Sequence, residues 1–190
     1  MFESEIFVWD KLVVVKDGVL DLSDIDITSY KKEIINVLKR YVNIKGLILR
    51  NICLTDKVLQ EIVPYLFLYS NLSWLDLSYN FLVWNNKMFL SLSKYIAQSS
   101  TIKKLNLSYN LISNAWLIDL TSWFRENNSL ISLDISNNYF NSFWMKEFLT
   151  SMVSKKNIKS LNISLFSLDI DILPYIDELL NSNQGLSINY

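Results

Sequence analysis

The sequence predicts an α/β solenoid, with a curved parallel β-sheet on the concave side and helices on the convex side, closed by an N-terminal β cap. Three observations predict it. The stretch Leu72-Ser-Trp-Leu-Asp-Leu-Ser-Tyr-Asn-Phe-Leu82 returns as Ile102-Lys-Lys-Leu-Asn-Leu-Ser-Tyr-Asn-Leu-Ile112 and as Leu130-Ile-Ser-Leu-Asp-Ile-Ser-Asn-Asn-Tyr-Phe140. Looser copies begin at 17, 44 and 158, so six copies stand 27, 28, 30, 28 and 28 residues apart. Between copies, apolar residues recur at i and i+4, the spacing of a helix with one buried stripe.

The elements follow in order. Glu5-Ile-Phe-Val-Trp9 and Leu12-Val-Val-Val15 are β-rich, and Asp17-Gly18 is a hairpin-turn signal. Residues 1–16 are therefore expected to cap the first repeat, which has only one neighbour. Leu20 and Leu22 belong to the first repeat strand. A first helix is predicted over Ser29–Val42, and later ones over Asp56–Leu68, Lys87–Gln98, Ala115–Arg125, Phe143–Ser154 and Ile170–Asn181. Their inward anchors are Ile62 and Leu66, Leu92 and Ile96, Leu120 and Phe124, and Phe148 and Met152. Asn114, Asn141 or Ser142, and Asp169 are candidate helix caps. The two extra residues of the 30-residue repeat fall near Val83–Asn86, where the loop is expected to bulge. Residues 183–190 hold a last strand. Leu75, Leu77, Leu105, Leu107, Leu133, Ile135, Leu161 and Ile163 are expected to point inward. Asn80, Asn110 and Asn138 stand where the chain leaves the strand; an amide there pairs backbone donors and acceptors that would otherwise be buried unpaired. The copies beginning at 17, 44 and 158 carry Ile25, Ile52 and Phe166 instead, so this ladder stops at both ends.

The L-x-x-L-x-L-x-x-N pattern resembles a leucine-rich repeat. The 28-residue period, and Leu54-Thr-Asp56 after a strand, resemble the ribonuclease-inhibitor-like class. The resemblance covers about residues 17–188. It implies a leucine-rich-repeat solenoid of 1–190, used mostly as an intracellular binding scaffold; a few of its members are GTPase activators or actin regulators. One departure is clear. The class often has Gly early in the helical segment, where Val58, Met88, Trp116, Trp144 and Ile172 stand here.

Composition bounds the function. Half the chain is hydrophobic (51%), ample for a core, and the net charge of −1 gives no global pull toward nucleic acid or membrane. The acidic start Met1-Phe-Glu-Ser-Glu lacks the basic region of a secretory signal, and no uncharged apolar run is long enough to span a bilayer. A single cysteine, Cys53, rules out an intrachain disulfide and favours a reducing compartment, cytoplasmic or nuclear; delivery as an effector into a host cytosol stays open. Asn71, Asn106, Asn127 and Asn162 match Asn-x-Ser by repeat position, as chance matches would. There is no histidine, no Gly-rich phosphate loop and no Cys–His pair. Asp76 and Asp134 share one strand position and read as repeat consensus rather than a carboxylate dyad. The sequence therefore points to a non-enzymatic protein with no cofactor, no metal and no small-molecule substrate.

What remains is surface. Alternation puts Val19, Asp21, Ser23, Gly46, Ile48, Arg50, Trp74, Asp76, Ser78, Lys104, Asn106, Ser108, Ser132, Asp134, Ser136, Ser160, Asn162 and Ser164 on the concave face. Ile48, Arg50 and Trp74, with Tyr79 and Tyr109 just past the strands, form the candidate protein-binding cluster, because Trp, Tyr and Arg dominate interface hot spots. The favoured function is an intracellular protein–protein interaction module, with a fixed place in a larger assembly. A second reading is a ribonucleoprotein component: Lys45, Lys103 and Lys159 share one repeat position, with Lys104, Lys155 and Lys156 close by, a lysine-lined edge for RNA phosphates. A third is a GTPase-regulating scaffold, for which Arg40, Arg50 and Arg125 are the available arginine fingers. The aromatics Trp116 and Trp144, and Tyr65, Tyr95 and Trp123, recur at convex positions and are expected to be core.

Overall fold

A computed structural model describes residues 5–8, 11–83, 90–164 and 170–190. Its nine described strands form one sheet in sequential order. Strands β1 (Glu5–Val8), β2 (Lys11–Lys16) and β3 (Val19–Asp21) pair antiparallel. The β2–β3 turn is Asp17-Gly18, both with positive φ (53° and 81°), as the two-residue hairpin requires. From β3 onward the pairing is parallel: β4 (Gly46–Ile48), β5 (Trp74–Asp76), β6 (Lys104–Asn106), β7 (Ser132–Asp134), β8 (Ser160–Asn162) and β9 (Ser187–Asn189). The register steps from Leu20 to Leu47, Leu75, Leu105, Leu133, Leu161 and Ile188 without slipping.

Each parallel connection carries a helix: α1 (Ile27–Arg40), α2 (Asp56–Leu66), α3 (Leu90–Gln98), α4 (Asn114–Glu126), α5 (Ser142–Met152) and α6 (Leu173–Ser182), the last entered by one 3₁₀ turn at Ile170–Ile172. Successive helices pack in sequence on the other side of the sheet. Helices pack about 8–10 Å apart and strands about 4.8 Å apart, so stacking both at once bends the solenoid toward its strands. The core is the layer between them, where the strand leucines meet Ile62, Leu66, Leu92, Ile96, Leu120, Phe148 and Met152, all buried. The expected bulge at Val83–Asn86 lies, apart from Val83, outside the described residues, as do Lys87, Phe166 and the cap candidate Asp169.

Two ladders of side chains close the backbone. In the first, the amide nitrogen of Asn80 donates to the carbonyls of Leu49 (2.8 Å), Leu77 (3.0 Å) and Ser78 (3.0 Å), and its oxygen accepts from the N–H groups of Ile52 (3.1 Å) and Leu54 (2.9 Å). Asn110 and Asn138 repeat this, each donating to three carbonyls and accepting from Leu82 and Ile112 in turn.

The second ladder stands where the helices end. The Tyr69 hydroxyl donates to the Leu38 carbonyl (2.8 Å), and Asn127 to those of Ile96 (2.6 Å) and Ser99 (3.1 Å). The Lys155 ammonium donates to the Asn127 carbonyl (3.0 Å), and Asn183 to those of Lys155 (3.2 Å) and Ile158 (2.9 Å). All four residues lie 25 positions past their repeat starts at 44, 102, 130 and 158. Tyr69, Asn127 and Lys155 satisfy carbonyls at or just past the end of the preceding repeat's helix, and Asn183 those of the loop that follows α5.

The caps are mixed. Asn141 caps α5 by accepting from the Trp144 N–H (3.1 Å). Asn114 lies inside α4, behind N-cap Ser113, and its side chain instead accepts from the Asn141 N–H of the next repeat (2.8 Å). Helix α1 begins two residues before the expected start, and its N-cap Asp26 accepts from the Thr28 N–H through its carboxylate (2.9 Å).

Asn110→Ala strands the Leu82 N–H and removes a donor from three carbonyls, so it is expected to cost about 2–4 kcal/mol. Ser122→Ala, which loses an exposed bond to the Asp119 carbonyl, is expected to cost less than about 0.5 kcal/mol. Urea denaturation of the two variants measures both.

Candidate protein-binding site

In each of the turns that leave β3 to β7, the third residue past the strand lies in the left-handed backbone region, joined by Cys53 (φ 58°) after β4. That third residue is Asp24 (φ 61°), Asn51 (53°), Tyr79 (56°), Tyr109 (53°) and Asn137 (54°) in successive repeats. Asp and Asn tolerate this conformation, whereas a bulky side chain is uncommon there and strained. The two tyrosines therefore break the local preference in adjacent repeats, and their rings meet. Tyr79 and Tyr109 stack at 4.1 Å between centroids, 12° from parallel. On the other face of Tyr79 lies the Arg50 guanidinium, 4.2 Å from the ring centroid. The three form one stack, Arg50–Tyr79–Tyr109, exposed at the strand-exit edge of the sheet. The hydrogen bond to Tyr79 is the first cause holding the Tyr109 hydroxyl above its ordinary pKa.

The rest of the cluster lies back along the strands, Trp74 opening β5 and Ile48 ending β4. Trp74 is half-buried, its ring lying over Gly46, where an added Cβ would meet it at 3.3 Å. A glycine on the neighbouring strand is thus what lets the indole lie against the sheet. Ile48 is also half-buried.

Other concave positions differ from expectation. Ser78, Ser108 and Ser136 are buried rather than displayed. Their hydroxyls donate to Asp76 (2.6 Å), Asn106 (2.8 Å) and Asp134 (2.7 Å) two residues back. Asn106 donates in turn to the second oxygen of Asp76 (3.3 Å), and Asn162 to that of Asp134 (2.9 Å). Acid and amide alternate across the face, and each carboxylate has its own partners.

One further row was missed. Phe81, Leu111 and Tyr139 immediately follow the ladder asparagines in three successive repeats. They are 55%, 37% and 67% exposed, beside Tyr79 and Tyr109 at 38% and 42%. Strand-like bonds hold the row in register: the N–H groups of Phe81, Leu111 and Tyr139 donate to the carbonyls of Leu54, Leu82 and Ile112. The signal was in the sequence as Asn-Phe, Asn-Leu and Asn-Tyr, apolar at a position that turns outward.

The lysines do not form one line. Lys45, Lys103 and Lys159 share the strand-entry edge, but Ser73 and Ile131 stand between them, so neighbouring lysines are two strands apart, about 10 Å. Lys104 projects from the concave face. Lys155 is a correction: it is 8% exposed, a rung of the second ladder, and desolvation lowers its pKa. Lys156 is spent at the same place, donating to the carbonyls of Val153 and Ser182. Arg40 ends α1 near the Tyr41 ring, and the side chain of Arg125 lies outside the described ones.

On the convex side Trp116, Trp123 and Tyr95 are buried. Trp144 and Tyr65 are half-buried. Trp144 lines a groove of about 470 Å³ between α4 and α5 with Leu117, Thr121, Phe143 and Glu147. Among the described residues no three acidic or Cys side chains converge as a metal site, and no helix is long and apolar enough to cross a membrane.

This geometry is that of a leucine-rich-repeat solenoid, and solved structures share it. The leiomodin-1 actin-binding site 2 domain matches 80% of this chain and 88% of its own length, with a TM-score of 0.67 at 16% identity. The tropomodulin C-terminal domain of Caenorhabditis elegans matches 81% and 91%, at 0.62 and 12% identity. An internalin of Listeria monocytogenes matches 89% of this chain but 38% of its own, at 0.52 and 20% identity. No family model and no curated protein sequence matches the chain.

Replacing both tyrosines by asparagine relieves two left-handed positions but loses one ring stack and one cation–π contact. Stability is expected to change by no more than about 1 kcal/mol in a thermal melt. Lys155→Met is expected to cost about 1–3 kcal/mol by urea denaturation, leaving nucleic-acid retention unchanged. The reverse pattern would return Lys155 to the edge set.

Proposed function

We propose that this protein is a non-enzymatic protein-binding module, a subunit of a larger assembly, whose contact surface is centred on Arg50, Tyr79 and Tyr109 and extends to Ile48 and Trp74. The observation that carries this reading is the stack itself. Two tyrosines occupy a backbone conformation that suits Asn or Asp, in adjacent repeats, and hold an arginine flat on their outer ring. The fold does not need them there, because Asp24, Asn51 and Asn137 make the same turn. Strain held at an exposed aromatic cluster is characteristic of sites selected for contact rather than stability. The separation of the edge lysines and the burial of Lys155 favour a protein partner over RNA.

The test is a native gradient of extract from cells that make the protein, with and without RNase, for wild type and for the Tyr79→Asn/Tyr109→Asn variant. Wild type is expected in a larger complex, unmoved by RNase, with the double variant migrating as free protein. Fractions are probed first for actin, which the leiomodin-1 domain's description names. Release by RNase, or a variant that stays in the complex, overturns the proposal.

A further inference from the structure

Two residues past the turn position of Tyr79, Tyr109 and Asn137 stands a second exposed row, Phe81, Leu111 and Tyr139, on the same strand-exit side of the sheet, and the two rows make one strip. Resting on the reading above, we infer that this strip receives one amphipathic helix of a protein partner, lying along the solenoid axis. Its apolar face would meet the strip, and an acidic residue would meet Arg50.

Spacing chooses the helix. Strand-like bonds set the rungs about 5 Å apart. A helix advances about 5.4 Å per turn, so residues at i, i+4 and i+7 stay over Phe81, Leu111 and Tyr139. An extended segment repeats a face every 6.6 Å or so and falls out of step by about 3 Å over two rungs. Exposed apolar side chains standing in a contiguous patch, rather than singly, mark such contacts.

Charge sets the direction of the acidic end. Arg50 is exposed, and among the described residues no carboxylate lies within ion-pair reach of it. It stands one repeat before Tyr79, at the N-terminal end of the strip, held on one face by the Tyr79 ring. The far end, at Asn137 and Tyr139, lacks a cation, and the carboxylate near it, Asp134, is held by Ser136 and Asn162. A helix with its acidic residue one turn beyond the apolar triplet would match both features; a basic residue at that turn would be repelled.

The experiment is selection on the intact protein from two display libraries, one of randomised faces on a rigid helical scaffold and one of unconstrained linear peptides. Winners are re-measured on Phe81→Ser/Leu111→Ser, on Arg50→Glu and on Tyr79→Asn/Tyr109→Asn. The expected winners are helical, apolar at i, i+4 and i+7 and acidic one turn away. They bind at least about tenfold more weakly to Phe81→Ser/Leu111→Ser, the size of one hot-spot contact, and selection on Arg50→Glu turns the acidic position basic. Linear winners, helical winners indifferent to Phe81→Ser/Leu111→Ser, or no winners at all overturn the inference. So does a wild-type dimer in sedimentation equilibrium that Phe81→Ser/Leu111→Ser dissolves, since a second copy would then cover the strip. These outcomes separate from the wider reading. A native complex that still depends on Tyr79 and Tyr109, with linear winners in the selection, would sink the helix and spare the binding module.

Discussion

The structure depends on satisfying backbone groups that the repeat buries at every turn. A chain that leaves a three-residue strand and folds back as a helix exposes carbonyls and N–H groups inside the stack, away from water. An unpaired buried group costs about 1–3 kcal/mol, and the loss recurs in each repeat. Asn80, Asn110 and Asn138 answer this at the strand exits, and Tyr69, Asn127, Lys155 and Asn183 at or just past the helix ends. With both ladders in place the leucines are free to be plain packing. The register of the sheet then follows, because an asparagine that bridges two repeats fixes their relative height.

The same constraint explains what the sequence made legible. Repeat starts, strand leucines and the asparagine ladder were readable because each needs one residue type at one position. The helices were readable to within a few residues at their ends, where capping decides and periodicity is silent. The second ladder was not readable, because tyrosine, asparagine and lysine all satisfy a carbonyl and share no pattern. Lys155 accordingly reads as a surface residue in the sequence: one letter cannot say whether an ammonium meets water or a helix end. The buried serines escaped for a related reason. Alternation gives the side of the sheet, but a small hydroxyl bound to the residue two before it is covered even on an open face.

The candidate site was half legible. Arg50, Tyr79 and Tyr109 could be chosen by residue type, yet their stacking depends on a backbone angle that the sequence does not state. Position would have given the clue. Asp24, Asn51 and Asn137 mark the turn as left-handed, and a tyrosine among asparagines is then an exception in need of a reason. Phe81, Leu111 and Tyr139 carried their own signal, an apolar residue beside the ladder asparagine, which alternation along the strand does not reach because the strand has already ended.

The two ends of the strands differ in what they display. At the strand entry, Lys45, Ser73, Lys103, Ile131 and Lys159 mix charge with small and apolar groups, so no continuous surface of one kind forms. At the strand exit, the turn already needs the asparagine ladder beneath it, so the backbone there is rigid before any partner arrives. Side chains carried on such a turn lose little further freedom on binding, and a rigid aromatic surface wastes less of its contact energy in ordering. The left-handed position adds to this, because it leaves few backbone states for Tyr79 and Tyr109 to explore. The strain that makes them poor choices for folding is what the proposed contact role would account for.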